Sequence, residues 1–224
     1  MGLATRNECK KIIREGGITI NGKAVKSAAE KADPAKETIT LYGKPIKWKE
    51  YIYLMMNKPD GVVSATEDKK FKTVADLLAP EDAHFAPYPV GRLDRDTVGL
   101  VIMTNDGELA HKVISPKNHI PKTYIAKLND NPPKSLENEF KNGVTIDDGY
   151  TCMPAELKLD GISAKLTIYE GKFHQVKRMF AAYGFTVTYL KRISIGGVNL
   201  DETLSEGQYR ELSENEIKSL INED

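Results

Sequence analysis

The sequence predicts an α+β fold in two unequal domains, a small unit over residues 1–46 and a larger one over 47–224. Three observations lead there. Short alternating or wholly apolar runs bounded by Gly, Pro, Asn and Asp recur along most of the chain, which is the pattern of strands separated by turns. Between them stand a few short segments with helical periodicity. Composition changes after residues 47–50, which read as a linker. At 224 residues the chain has the length to bury two cores of different size.

The first helix is expected over residues 3–15, with Thr5 as N-cap and Glu8 three positions on as its capping-box partner. Cys9, Ile12 and Ile13 fall on one face. Arg6, Lys10 and Arg14 recur every four residues on another, with Lys11 beside them. After Gly16-Gly17, the run I-T-I-N-G-K-A-V-K holds Asn21-Gly22 between two alternating stretches, a hairpin signal that also displays Lys23. A strand E-T-I-T-L-Y completes the unit.

In the second domain, Y-I-Y-L-M-M-N and G-V-V-S-A-T read as strands joined through Lys58-Pro59-Asp60-Gly61. Residues 73–78 read as a short helix, and Pro80, Pro87 and Pro89 are expected to keep the following approach non-helical. Residues 90–107, V-G-R-L-D-R-D-T-V-G-L-V-I-M-T-N-D-G, form a polar loop feeding a buried strand. A helix follows over 108–114, then a strand K-T-Y-I-A-K-L that places Tyr124 and Ala126 on one face. Residues 135–141 read as a helix stopped by Gly143. Strands are expected at 144–146, 154–159 and 164–169, and further ones over 186–200 broken at Gly196-Gly197. A short amphipathic helix capped by Ser213 closes the chain.

Residues 170–184, E-G-K-F-H-Q-V-K-R-M-F-A-A-Y-G, give the strongest helical pattern, with Gly184 as stop. At about 100° per residue, Phe173, Val176, Phe180 and Tyr183 make an apolar stripe. Lys177 lies on its flank, facing the interior or a cleft, while Arg178 points toward solvent or a ligand. An inward lysine needs a partner, because a buried unpaired charge costs several kcal/mol; Asp94 would serve.

Composition is 40% hydrophobic and 29% charged. No run approaches the roughly 18 apolar residues of a membrane span and no signal peptide pattern opens the chain, so the cytoplasm is the expected compartment and no membrane partner is expected. Cys9 and Cys152 are expected as free thiols. Net charge is zero, but its distribution is uneven. Residues 1–50 carry 11 Lys/Arg against 6 Asp/Glu, residues 165–192 carry 6 against 1, and residues 201–224 carry 2 against 8. Two basic regions balanced by an acidic tail fit a polyanionic partner, because association responds to local field.

The four histidines and two cysteines show no metal-ligand spacing, and neither a phosphate-cradling nor a dinucleotide glycine motif occurs. No nucleophile elbow is present. Carboxylate chemistry at Asp94 and Asp96 remains. A surface ion pair is the ordinary reading of such a D-x-D, and a glycosidase-like pair fits two carboxylates sharing a face.

G-R-L-D-R-D-T-V-G-L, K-T-Y and E-G-K-F-H-Q-V-K-R-M-F, in that order, resemble the signature motifs of bacterial ribosomal RNA pseudouridine synthases of the RsuA-like group. I-T-I-N-G-K-A-V resembles the group's N-terminal S4 domain, and L-M-M-N-K-P-D-G-V-V-S-A-T-E-D also matches, so the resemblance covers nearly the whole chain. H-Q-V-K-R-M-F is most similar to the enzymes acting on small-subunit (16S) RNA, with the large-subunit (23S) enzymes as close alternatives. A non-catalytic RNA-binding protein of ribosome assembly is a further alternative, which the presence of Asp94 disfavours.

The resemblance implies an S4-like RNA-binding domain and a catalytic domain built on a mixed, largely antiparallel sheet. The activity implied is isomerisation of one uridine by base flipping, without cofactor or metal, in ribosomal RNA or an assembling subunit, by a monomer. Asp94 is then the catalytic aspartate, Lys177 its basic partner, and Tyr124 the residue that stacks on the target base. Arg92 fills the stack when the base is extruded. Asp96 and Thr97 brace the loop and Leu166 lines the pocket. Arg178, Arg6, Lys10, Lys11, Arg14 and Lys23 are the implied RNA contacts. Family members begin with an R-L-D-K-F-L-like helix that has no match before Gly2, so weakened RNA docking with intact chemistry is expected.

Overall fold

The computed structural model describes residues 3–46 and 48–221. Gly2, Lys47 at the head of the expected linker and Asn222 at the end of the expected tail helix lie outside the described residues. The chain divides into two compact units: Met1–Tyr51 with Ala79–Ala86, and Ile52–Leu78 with Pro87–Asp224. The return of Ala79–Ala86 to the first unit is not visible in the sequence, which suggested a single cut after residue 46.

In the first unit, α1 (Arg6–Arg14) starts at a capping box: the Glu8 N–H donates to Thr5 Oγ1 at 3.3 Å and the Thr5 N–H to Glu8 Oε2 at 2.7 Å. Strands β1 (Ile18–Ile20) and β2 (Lys23–Ala24) form the expected hairpin, with positive φ at both Asn21 and Gly22, the geometry a two-residue turn requires. With β3 (Ile39–Leu41) and β4 (Lys44–Pro45) they make a sheet in the order β2-β1-β3-β4. The segment Pro80–Ala83 is a helical turn, α2, where the prolines suggested extended chain; Pro80 occupies the first helical turn, where its missing N–H costs nothing.

The second unit contains β5 (Tyr53–Lys58), β6 (Tyr88–Pro89), β7 (Val98–Thr104), α3 (Gly107–Ile114), β8 (Lys122–Leu128) and α4 (Leu136–Asn142). These are followed by β9 (Glu156–Asp160), β10 (Ser163–Ile168), α5 (Gln175–Ala181), β11 (Val187–Ile195), β12 (Val198–Asn199), β13 (Tyr209–Glu211) and α6 (Glu214–Ser219). The sheet runs β13-β5-β7-β11-β8-β10-β9, with β12 on β11 and β6 on β7. Among the described residues β7–β11 is the parallel pairing and the others are antiparallel, so the sheet is mixed and largely antiparallel. All seven residues of β7 are buried. Leu100 and Ile102 of β7 pack with Leu109, Ala110 and Val113 of α3, Ile195 and Leu220 in one core. Phe140 of α4 and Phe180 of α5 meet at 5.0 Å between ring centres.

Some expected elements are shorter or absent. G-V-V-S-A-T makes a single bridge, Val63 to Thr73, and residues 144–146 likewise contribute one, Thr145 to Thr151. The helix expected over 73–78 is a 3₁₀ turn, Ala75–Leu77. Among the described residues no helix is long and apolar enough to cross a membrane.

Gly99 is where β7 meets β11. Its φ is +98°, and a methyl group there would stand 2.3 Å from the Arg192 carbonyl oxygen. Gly99→Ala is therefore expected to destabilise the fold by about 3 kcal/mol or more, read as a lowered midpoint in urea unfolding.

The chain end is tied down by Arg210, which meets Asp201 Oδ2 at 2.6 Å and Glu216 Oε1 at 2.8 Å. Hydrogen bonds from Thr203 and Arg210 hold Asp201 down at about 2, and Arg210 then Ser213 do the same for Glu216. Both carboxyls are depressed below their ordinary values near 4, so the stability they confer is complete above about pH 5 and is lost as pH falls toward 2. Arg210→Met is expected to flatten that acid loss and to cost about 1–2 kcal/mol at pH 7, a figure discounted for partial exposure. Urea midpoints measured between pH 2 and 7 check both.

Candidate active site

The loop between β6 and β7 carries the charged residues, and its backbone is held from below. The Thr97 N–H donates to the Asp94 carbonyl at 3.1 Å, a tight turn rather than the extended pair that D-x-D suggests. The Leu93 N–H donates to Ser64 Oγ at 3.1 Å. Lys58, at the end of β5, is fully buried. Its ammonium donates to the carbonyls of Pro59 at 3.1 Å, Arg95 at 3.0 Å and Thr97 at 2.8 Å. Three N–H bonds thus meet three carbonyls, two of them in the charged loop. Burial pulls this amine down to about 8 against the opposing pull of Asp60, Asp96 and Asp94. Sequence reasoning placed Lys58 in a turn; N-K-P gave no local sign that it would be buried.

The facing side is α5. Glu170, itself buried, accepts from the Tyr150 hydroxyl at 2.7 Å, the Met153 N–H at 2.8 Å and Gln175 Nε2 at 3.2 Å, fixing the segment that leads into the helix. His174 has φ +50°, so the helix begins only at Gln175. This corrects the expected stripe. Phe173 belongs to the preceding loop, is 75% exposed and stacks on His174, while Val176, Met179 and Phe180 are the buried apolar residues, with Gln175 buried beside them.

Lys177 lies where its flank position predicts. Its Nζ stands 3.3 Å from Asp94 Oδ2 and 2.5 Å from Asp96 Oδ1. Asp94 and Lys177 are each about one quarter exposed, whereas the Asp96 side chain is 68% exposed. The Lys177 hydrogen bond holds the Asp96 carboxyl below its usual range. His174 Nε2 approaches Asp94 Oδ1 to 3.4 Å, a contact that becomes ionic when the imidazole is protonated. The histidine stands in the quoted motif, where its type and spacing mark no role; its approach depends on the left-handed turn at 174, which periodicity does not reveal.

Tyr124 is 7% exposed on β8 and lies opposite Leu166 of β10 and Arg192 of β11. It is placed by sheet register, with no hydrogen bond to either aspartate. Leu166 is fully buried, and Thr97 is buried with its Oγ1 lacking a partner among the described residues; its backbone N–H and carbonyl make the contacts to Asp94 and Lys58. Arg192 is also buried; its Nε donates to the Leu100 carbonyl at 2.8 Å, and one terminal nitrogen has no partner among the described residues. Arg92 is exposed and forms no ion pair among the described residues.

Arg178 departs from expectation. Its side chain is 19% exposed and is bound by Asp147 at 2.5 Å and Asp148 at 2.6 Å, because carboxylates some thirty residues earlier reach it before solvent does. In the first unit, Arg6, Lys10, Lys11, Arg14 and Lys23 are all exposed. A mostly apolar cavity of about 340 Å³ in that unit is lined in part by Cys9, Ile12, Ile39, Leu41 and Trp48, with Glu37 and His84 also on its wall. Cys9 and Cys152 are both free thiols.

The family model described as RNA pseudouridylate synthase matches residues 52–182, and the S4 domain model matches residues 1–37. An RNA pseudouridine synthase of Bacillus subtilis (strain 168) is 47% identical over 227 residues, covering 99% of this chain and 95% of its own length. The ribosomal small subunit pseudouridine synthase A of Haemophilus influenzae is 39% identical, covering 97% of this chain and 94% of its own. The ribosomal large subunit pseudouridine synthase B of Bacillus subtilis is also 39% identical, covering 98% and 91%. A crystal structure of a pseudouridylate synthase superimposes with a TM-score of 0.73 at 38% identity, covering 97% of this chain and 94% of that one. With a match of this extent around the loop and helix that carry Asp94 and Lys177, the chain belongs to the RNA pseudouridylate synthase family and is an isomerase with an S4 domain at its N-terminus.

Proposed function

We propose that the protein isomerises one uridine of ribosomal RNA, with Asp94 as the reacting carboxylate. The observation that carries the reading is a partly buried carboxylate flanked by Lys177 at 3.3 Å and by His174 at 3.4 Å. Cationic and hydrogen-bonding groups at those distances orient the carboxylate and balance its charge where the sugar would meet it. The N1–C1′ bond breaks, the uracil rotates, C5 bonds to C1′, and the C5 proton leaves while N1 gains one. Attack by Asp94 on the sugar and the glycal route both begin at this carboxylate. Tyr124 is assigned to stack on the base, Leu166 to line the pocket, Asp96 and Thr97 to brace the loop, and Arg92 to fill the gap left in the RNA. The basic residues of α1 and the first hairpin are assigned to RNA backbone contact; Arg178 joins them only by leaving its carboxylates.

The 16S RNA of the small subunit is the favoured substrate, on the likeness of H-Q-V-K-R-M-F to the enzymes of that class. Relatives named for the small subunit, at 39–41% identity, and for the large subunit, at 39%, are nearly alike in identity to this chain, which keeps 23S RNA as the second reading. The expected setting is the cytoplasm, as a monomer. Tritium release from RNA labelled at uridine C5 tests the reaction. Pseudouridine mapping in cells with and without the protein tests the target: loss of one 16S site is expected, and loss of a 23S site instead overturns the assignment.

A further inference from the structure

Arg95 follows the proposed reacting residue directly. Its carbonyl is fixed by Lys58 Nζ at 3.0 Å and by the Gly61 N–H at 3.0 Å, while its side chain is exposed. The guanidinium carbon stands 4.4 Å from the centre of the Phe71 ring, and Lys70 Nζ stands 5.5 Å from the same centre. Among the described residues the Arg95 side chain makes no hydrogen bond and no ion pair. Arg178 and Arg210, by contrast, are each bound by two carboxylates.

The ring that holds Arg95 sits on an ordered loop. Asp68 accepts from the Lys70 N–H at 2.8 Å and from the Phe71 N–H at 2.9 Å. The Val63 N–H donates to the Lys72 carbonyl at 2.9 Å, and Asp76 accepts from the Thr73 N–H at 2.8 Å. Phe71 nevertheless stays 37% exposed, with Lys69, Lys70 and Lys72 exposed around it. A cation held over an aromatic face is positioned without engaging its N–H donors. A carboxylate-paired arginine must give up its partner to bind phosphate, and a ring-held one need not.

We propose that Arg95, posed by Phe71, binds a backbone phosphate of the RNA strand beside the nucleotide that enters at Asp94, with Lys70 adding to the field. Phe71 is a positioning residue acting through Arg95. The inference deepens the proposed function and rests on it for the identity of the strand.

Binding of a fluorescently labelled, uridine-containing RNA fragment, measured by anisotropy between 50 and 200 mM salt, tests it independently of turnover. Arg95→Gln is expected to weaken binding about tenfold at 0.1 M salt and to reduce the slope of log affinity against log salt by about 0.7–1. Phe71→Leu keeps every charge, so the slope is expected to stay while affinity falls about two- to fivefold. In turnover assays both losses are expected in KM rather than kcat. Equal affinity and slope for wild type and Arg95→Gln overturn the phosphate assignment, and wild-type affinity in Phe71→Leu overturns the positioning role. A wild type that binds RNA but releases no tritium sinks the isomerase reading instead and leaves the Arg95 result standing.

Discussion

Asp94→Asn is expected to abolish tritium release from C5-labelled RNA, with a loss of about 10⁴-fold or more. The amide keeps the size and the hydrogen-bonding shape of the carboxylate and removes its charge and its basicity. Neither attack on the sugar nor proton abstraction survives that change. The fold should survive it. Lys177 also meets Asp96 at 2.5 Å, so it is not left as an uncompensated buried charge, and removing one of two carboxylates that share a single lysine relieves like-charge repulsion. Unchanged or slightly raised melting temperature together with silent chemistry is the expected pattern. A silent variant that is also unfolded would point to a structural role.

Lys58→Met is expected to lower kcat by about 10²–10³-fold and to destabilise the protein by about 3 kcal/mol. Methionine fills the space of the stem but leaves the carbonyls of Pro59, Arg95 and Thr97 without their shared donor. Two of those carbonyls belong to the loop that aims Asp94, and small displacements of a reacting group carry large rate penalties. The same arrangement gives a pH dependence. With Lys58 brought down to about 8 by burial, deprotonation above that pH removes one of three donors, and kcat is expected to fall on a basic limb near pH 8. Global stability moves the other way for this group. Its folded value lies below the unfolded value near 10.4, so the folded chain releases the proton first and is favoured as pH rises from about 8 to 10. Activity lost above pH 8 with no drop in urea midpoint would match; parallel loss of both would not.

What local pattern could show and what it could not divides along a physical line. The flank position of Lys177 follows from the 100° turn of a helix, and the buried course of residues 98–103 follows from an unbroken apolar run. The Asn21-Gly22 hairpin and the caps at Thr5 and Ser213 are likewise local chemistry. Phe173 was misplaced because one left-handed residue, His174, delays the helix start. Arg178 was assigned to a ligand because its carboxylates lie about thirty residues away, and no periodicity reports such a pairing. Lys58 was missed for the same reason: its partners are carbonyls of a loop nearly forty residues later. Asp94 and Asp96 could be told apart only through resemblance, since alternation places them alike. In the fold, Lys177 Nζ stands closer to Asp96 than to Asp94, and Asp94 is the less exposed of the two.

That distinction is open to one direct measurement. In single-turnover tritium release with saturating enzyme, Asp94→Asn and Asp96→Asn are compared with the wild type on the same RNA. If Asp94 is the reacting carboxylate, no release is expected from Asp94→Asn, and release from Asp96→Asn is expected within about 10²-fold of wild type, as for a residue that only orients another. Release by Asp94→Asn with silence from Asp96→Asn would contradict that role.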